Sequence, residues 1–420
     1  MSRNPFDVLI GGSGIAAATI AIRLCSLGFR PLLLTINGHA MPGVEALPEA
    51  ALAMFAELEI EHVLRQAEPV VVNGFENRWR TQEPVVHSGA WIHFERALLA
   101  QAAIREAIRR GAVLRFCAAL PKIFHQPDSI CIMREGETLC FDAAVDATGR
   151  SAIWSRPIRR SGRQVADLYR LPADTLKCGI IARDSNRWSY LLGTDRSVTL
   201  GIVAKDGTHR NLPDARIQDG LGFSPDCAEF AGRRPAFPQW CEIPVHQRRL
   251  AIGDAALAYD PVAGQGVCFA ISSALAASAT ISTWRHAPLR REAADRFYSD
   301  FVNQRRHRHL SHIQRIYQES PPPQLTAQQL PEMLVFSGEI GTADLLVVSA
   351  ITTQEVLVLR DGTKVRWLGS LDLLDIRNFA RRPVRSLTLV NYLTSSRFSP
   401  AEAVRALQWC VRHGLLKATS

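Results

Sequence analysis

The residues Gly12-Ser13-Gly14-Ile15-Ala16-Ala17 have the spacing G-x-G-x-x-A. Each small position in that pattern has a physical task. Gly12 permits a tight turn, Gly14 lets the backbone come close to an anion, and Ala17 lets the following helix lie against a sheet. A helix starting there turns unpaired N–H groups and the positive end of its dipole toward the anion. The chemistry expected is therefore recognition of a dinucleotide pyrophosphate, with Ser13 inside the same turn. An acidic residue roughly 20 positions further on usually takes the ribose hydroxyls. Here the second strand ends Leu34-Thr35-Ile36-Asn37, so Thr35 or Asn37 is the expected ribose contact.

A second glycine-rich strand end lies far downstream. Leu250-Ala251-Ile252-Gly253-Asp254 closes an apolar run, and Tyr259-Asp260-Pro261-Val262-Ala263-Gly264-Gln265-Gly266 opens a long helix of small residues. A carboxylate at a strand end, Asp254, suits the hydroxyls of a ribityl chain. The Pro261–Gly266 turn can present N–H groups to a polarised flavin oxygen. The two signals together point to FAD.

Further motifs carry a family resemblance. The stretch 253–266 resembles the G-D-A-A…D-P…G-x-G signature of group A flavin monooxygenases, flavin halogenases and geranylgeranyl reductases. Asp146-Ala147-Thr148-Gly149-Arg150 resembles the D-A-T-G-R motif of that superfamily. Gly43-Val44-Glu45-Ala46-Leu47-Pro48 resembles its G-E-x-L-P loop with one residue inserted. His93-Phe94-Glu95-Arg96 resembles its L-D-R helix start, which implies that Arg96, with Glu45, contacts FAD. The halogenase W-x-W-x-I-P motif is missing and no lysine precedes Lys122, which argues against halogenation. A Y-x-W-x-F-P-like reductase motif is missing too. What remains is similar to the flavoproteins that mature tryptophylquinone cofactors, the peptidyl tryptophan dihydroxylases of the quinohemoprotein amine dehydrogenase system. Trp188-Ser189-Tyr190, the Asp260–Gly266 turn and an extra C-terminal module fit that group.

That resemblance implies a monooxygenase that hydroxylates a partner protein's tryptophan through a flavin hydroperoxide. Its partners would be molecular oxygen, a small quinohemoprotein dehydrogenase subunit and a radical-SAM crosslinking enzyme. Trp188, Tyr190 and His246 are the candidates for the substrate pocket. No second G-x-G-x-x-G for a nicotinamide nucleotide occurs. The alternatives are a small-molecule hydroxylase or reductase and, in another class, a flavin-containing regulator whose tail binds DNA.

The elements that must position these residues follow from periodicity. Asp7–Ile10, Ile15–Leu27 and Pro31–Leu34 read as strand, helix and strand, with Gly28 capping the helix. A helical pattern runs from Trp91 to Arg110, with short strands after it. Strand-like alternation in Trp188–Leu192 and Ser197–Ala204 indicates an antiparallel sheet, and long helices follow from Gly266 and from about Leu289. Ser320-Pro321-Pro322-Pro323 marks a boundary, since three prolines cannot continue a helix. Beyond it, β-like runs Leu345–Ala350 and Glu355–Leu359 flank a turn, with another at Asp361-Gly362. Ser399-Pro400-Ala401-Glu402 is a capping box. The expectation is an α/β chain with a Rossmann-like FAD-binding fold (1–164 and 246–320). Inserted into it is an antiparallel substrate-side sheet (165–245), and a winged-helix-like module (324–420) follows.

Composition sets outer limits. The chain has 420 residues, 47% apolar and 21% charged, ordinary for a globular protein. No run of roughly 20 consecutive apolar residues and no signal-peptide pattern occurs, so a cytoplasmic setting without a membrane is expected. The nine cysteines lack metal-ligand spacing and are expected to be reduced thiols. His309 and His312 have no carboxylate companions, so no metal site is expected. The net charge of +9 is carried almost wholly by arginine. The basic segment Gln304–His309 is expected to be a solvated helix face, with an acidic protein partner as the alternative. Residues 331–420 hold eleven Arg or Lys against eight Asp or Glu. That excess is too small for a phosphate track, so the tail is expected to dock protein, not nucleic acid.

Overall fold

Val8-Leu9-Ile10-Gly11 is a short apolar run with buried neighbours on both sides, the pattern of a central parallel strand. In the computed structural model it occupies that place. The structure describes residues 5–36, 43–79, 85–172, 179–183, 187–205, 228–317, 330–347, 350–368, 371–395, 398 and 400–419. Asn37, the Ser320–Pro323 boundary and Ser399 of the capping box lie outside them. The first sheet runs, in order, Val245–His246, Arg249–Ala251, Ala143–Asp146, Val8–Gly11, Pro31–Ile36 and Val113–Cys117. All its pairings are parallel except the first. Helix α1 (Ile15–Ser26) packs against α2 (Arg96–Arg109) and α3 (Gly266–His286).

The second sheet has eight strands. Its order is Glu229–Pro235, Gln164–Leu171, Val198–Lys205, Arg187–Gly193, Gly179–Arg183, Val70–Arg78, Val85–Glu95 and Val44–Pro48. Three of these come from 44–95, so the sheet reaches well beyond the expected 165–245 insertion. The join is the parallel pairing of Gly179–Arg183 with Val70–Arg78. The expected helix from Trp91 begins only at Arg96, because residues 91–95 complete strand Val85–Glu95. Ile92, His93 and Phe94 are all buried, so the end of that strand is covered on both faces and shows no alternation to tell it from a helix.

One expectation from composition is corrected. Cys131 and Cys140 are joined as a disulfide, not held as free thiols. They stand opposite each other in the hairpin of Ser129–Arg134 with Glu137–Phe141. The tight turn that sets this register has positive φ at Glu135 (54°) and Gly136 (84°). Helix α3 is, by length and composition, apolar enough to cross a membrane, although serines and threonines interrupt its apolar runs. In this fold 67% of its most apolar 18-residue window is buried inside the protein.

The chain divides into two compact units, residues 1–288 with 298–314, and residues 289–297 with 315–420. Helix α4 (Arg291–Tyr317) contributes to both. In the second unit, α5 (Leu373–Phe379), strand Val384–Arg385, α6 (Ser386–Ser395), α7 (Pro400–Arg412) and strand Leu416–Ala418 follow in the order of a winged helix. Its central third strand, Met333–Phe336, comes instead from ahead of the first helix. Leu334, Leu373, Leu389, Leu393, Leu407 and Cys410 form its core. The hairpin here is Glu339–Val347 with Ala350–Val358. The stretch expected as a turn, with β-branched Thr352 and Thr353, is strand, and the connection falls at 348–349, outside the described residues.

Candidate cofactor and substrate site

The G-x-G-x-x-A turn folds as its residue types require. Gly12 has φ +115°, and a Cβ there would overlap the carbonyl oxygen of Ala147. Gly14 is the N-cap of α1, no side chain caps that helix, and the space where a Gly14 Cβ would stand is open. Ala17 is fully buried. The Ser13 and Thr35 hydroxyls bond each other at 2.8 Å, tying the turn to the end of the second strand.

The downstream motif meets this turn directly. Gly253 (φ +55°) sits so close to α1 that a Cβ would come within 2.9 Å of the Ala16 Cβ, and its N–H donates to Ser273 Oγ at 2.9 Å. Asp254 follows on the cavity wall. Asp260 Oδ1 accepts from the Val262 N–H at 3.0 Å, Gly264 turns at φ +59°, and α3 starts at Gly266 with no side-chain cap. Two uncapped helix starts thus open on one space, the arrangement that binds anions and polarised oxygens.

That space is a cavity of about 680 Å³, the size of a small-molecule site. Of the residues singled out from the sequence, Gly14, Glu45, Arg96, Asp254, Pro261, Gly264, Gln265, Gly266, Trp188 and Tyr190 line it. Gly12, Ser13, Ala17, Thr35 and Gly253 are not among the lining residues. His246 is a correction. It lies exposed on the edge strand of the first sheet, its ring 6.0 Å from that of His125, away from the cavity. Expected beside Trp188 and Tyr190, it instead has a short strand that pairs with Arg249–Ala251 in the first sheet, not with the strands that carry those two residues.

An ion-pair chain joins the two ends of the cavity. Arg96 donates to Glu45 Oε1 at 3.1 Å, and Arg234 approaches the same oxygen at 3.6 Å. Arg234 also donates to the Tyr190 hydroxyl at 2.9 Å. Tyr190, opposed by burial and aided by Glu45 and Asp254, holds the Arg234 guanidinium above the ordinary arginine range. Arg233 is spent differently, on a two-point pair with buried Asp167 at 2.6 and 2.7 Å. Burial pulls Arg150 down, opposed by Asp254, and its guanidinium donates to the carbonyls of Phe237 and Tyr259. The D-A-T-G-R arginine thereby braces the loops around the site.

The far wall is aromatic. Phe75 and Trp91 lie 5.7 Å apart, as do Trp188 and Tyr190, with Ile181 and Leu192 between them on the lining. Reading the sequence missed Phe75, Trp91 and Arg234. Only the register of the eight-stranded sheet brings Arg234 to Tyr190. It also misjudged Gln304–His309. Arg305 stacks 3.5 Å from the Phe301 ring centre and is pulled down to about 10 by burial, while Arg306 lies over Trp240. His309 is 2% exposed. Only His307 and Arg308 of that segment are exposed.

No family model matches the chain, and neither does any curated protein sequence. Solved structures do. The chain is similar to the peptidyl tryptophan dihydroxylase QhpG, essential for tryptophylquinone cofactor biogenesis (TM-score 0.67, 19% identity, 98% of this chain and 99% of that one). It is similar to the flavin-dependent halogenase CmlS (0.71, 15%, 99% and 96%). It also resembles the myxobacterial chondrochloren halogenase CndH, a variant of FAD-dependent halogenases (0.60, 18%, 76% and 84%). The chain therefore has the fold that the tryptophan dihydroxylase shares with FAD-dependent halogenases.

Proposed function

We propose that this chain is an FAD-dependent monooxygenase that hydroxylates an electron-rich aromatic ring, and that the ring is a tryptophan side chain of a partner protein. One observation carries the reading: a single cavity runs from two uncapped helix starts to a wall of aromatic rings. The residues fit the cofactor. The N–H groups at Gly14 and the start of α1 would hold the pyrophosphate, with Arg96 and Glu45 beside it. Asp254 would take ribityl hydroxyls, and the Pro261–Gly266 turn would face the ring oxygens. Bound FAD supplies the oxygen-activating chemistry. The chain's own part is to place the substrate and keep water away, which Phe75, Trp91, Trp188 and Tyr190 do by enclosing a flat ring in apolar surface.

Hydroxylation is favoured over halogenation because no lysine precedes Lys122. The partner-protein reading is supported by the likeness to QhpG along nearly the whole chain, C-terminal unit included. In that reading the partner is a small quinohemoprotein dehydrogenase subunit on which a radical-SAM enzyme also acts, and the setting is cytoplasmic. A small-molecule hydroxylase is the second reading, favoured by the Arg234–Tyr190 pair inside the cavity.

The test is direct. Full-length protein should retain FAD through gel filtration and, with reduced flavin and oxygen, add one or two oxygen atoms to a single tryptophan of the subunit, read by peptide mass spectrometry. A colourless protein that refuses flavin removes the cofactor assignment. A flavin-loaded protein that oxidises no tryptophan removes the substrate assignment alone.

A further inference from the structure

The Tyr190 hydroxyl accepts from Arg234, which leaves its own hydrogen to be donated elsewhere. Among the described residues nothing accepts it. Arg234 commits a single N–H donor to that bond, and its carboxylate neighbour, Glu45 Oε1, lies 3.6 Å away and is bonded more closely by Arg96. On the same lining, Asn77 Oδ1 already accepts the Trp79 N–H at 2.9 Å. The carboxylates of Glu45 and Asp254 attract the Arg234 guanidinium, but among the described residues neither takes the Tyr190 hydrogen. Tyr190 is 8% exposed, so donors left unmatched there carry a desolvation cost that a ligand's acceptor would remove.

We propose that Tyr190 and Arg234 form a carboxylate-binding subsite, which selects aromatic substrates bearing a carboxylate within reach of the ring. A carboxylate offers two oxygens side by side, one for a guanidinium N–H and one for a phenol O–H. Phe75, Trp91 and Trp188 stand in the same chamber to take the ring. The inference rests on the hydroxylase reading for the place of the flavin, and it deepens that reading by naming a substrate class. The carboxylate could belong to a free aromatic acid or to an acidic residue beside the target tryptophan in a protein.

Isothermal titration of the full chain, with and without saturating FAD, tests this. The probes are indole-3-acetate against indole-3-acetamide, and a capped Asp-Trp dipeptide against its Asn-Trp counterpart. The acid of a pair should bind about tenfold more tightly than the amide. A preference in the dipeptides identifies a protein source, and a preference confined to the indoles a free acid. Arg234→Gln and Tyr190→Phe should each abolish most of the preference, with Arg234→Lys restoring part. Tyr190→Phe removes one hydroxyl and keeps the ring, so it reads the subsite even if Arg234→Gln fails to fold. Equal affinity for acid and amide, no binding of any probe, or a preference that survives both variants overturns the proposal. So does a preference that vanishes when FAD binds, since the donors would then serve the cofactor. Failure of the flavin reading is separate: the protein would bind no FAD, and the acid preference would still be read in the FAD-free arms.

Discussion

His309 Nε2 accepts the backbone N–H of Asp260 at 3.0 Å, which fixes the start of the Pro261–Gly266 turn to helix α4. The Tyr259 ring lies 4.3 Å from the His309 ring, and burial pushes the imidazole down to about 4 from 6.5. Protonation converts the acceptor to a donor facing another donor. Because the folded state takes up this proton less readily than the unfolded chain, stability rises with pH across the window from about 4 to 6.5. The contribution is on the order of 3 kcal/mol. His309→Gln keeps an acceptor and cannot titrate, so its urea midpoint should vary less than the wild type's between those pH values. Parallel pH profiles for the two proteins would refute the assignment.

Glu106 on α2 gives the same sign in a lower window, from about 2 to 4.5. Its carboxylate is 3% exposed and accepts from Arg109 Nε and Arg110 Nε, both at 2.7 Å, while His62 Nε2 stands 3.2 Å away on the short helix Glu61–Arg65. Hydrogen bonding from Arg109, partly offset by burial, pulls it to about 2 from 4.5. The stabilisation is therefore complete above the unfolded value and is lost as pH falls through the folded one. Glu106→Gln should cost about 2 kcal/mol at neutral pH, less than the shift alone implies because Arg109 is largely in solvent. The gap between variant and wild type should close as acid approaches pH 2, in chemical denaturation followed by fluorescence.

What could be read ahead of the fold was whatever the backbone alone enforces. Gly12, at φ +115° against the Ala147 carbonyl, announces a turn that no larger residue can make, and Gly14 beside it leaves open space at the helix start. Gly253-Asp254 and Gly264-Gln265-Gly266 announce a strand end and a helix start. The aromatic chamber has no such local signature. Phe75, Trp91, Tyr190 and Arg234 belong to four strands, and only the pairing of those strands brings them onto one wall. Arg305 and Arg306 misled for a related reason: a guanidinium flattened on an aromatic face can be half-buried, yet in a sequence it reads as solvated charge. Cys131 and Cys140 become neighbours through a tight turn, and cysteine spacing alone carries no trace of that register.

Two glycines on the cofactor side should respond differently to the same change. Gly12→Ala adds a Cβ at φ +115° that overlaps the Ala147 carbonyl oxygen, with its carbon at 2.9 Å, and backbone cannot swing aside. The expected cost is about 3 kcal/mol with loss of retained flavin. Gly264→Ala, at φ +59° with open space around it, meets only the left-handed backbone penalty, about 1 kcal/mol. Thermal melts and the flavin absorbance of the purified variants check both. Equal effects would mean that the close approach at Gly12 is not what the turn needs.

Gly201 lies across the strand pair from Tyr190, and a Cβ there would overlap the tyrosine ring, with the hydroxyl oxygen at 2.6 Å. The glycine is what lets the ring lie flat and bring its oxygen to Arg234. Gly201→Ala should push the ring off that position, cost about 1–3 kcal/mol by overpacking, and break the bond to Arg234 while FAD binding is unchanged. The strain belongs to the pair. In a Gly201→Ala background, Tyr190→Ala should therefore add much less destabilisation than it does in the wild type, a coupling that a double-mutant cycle measures directly. Additive costs would show that the ring has another place to go, and that Gly201 does not set the geometry of the donor pair.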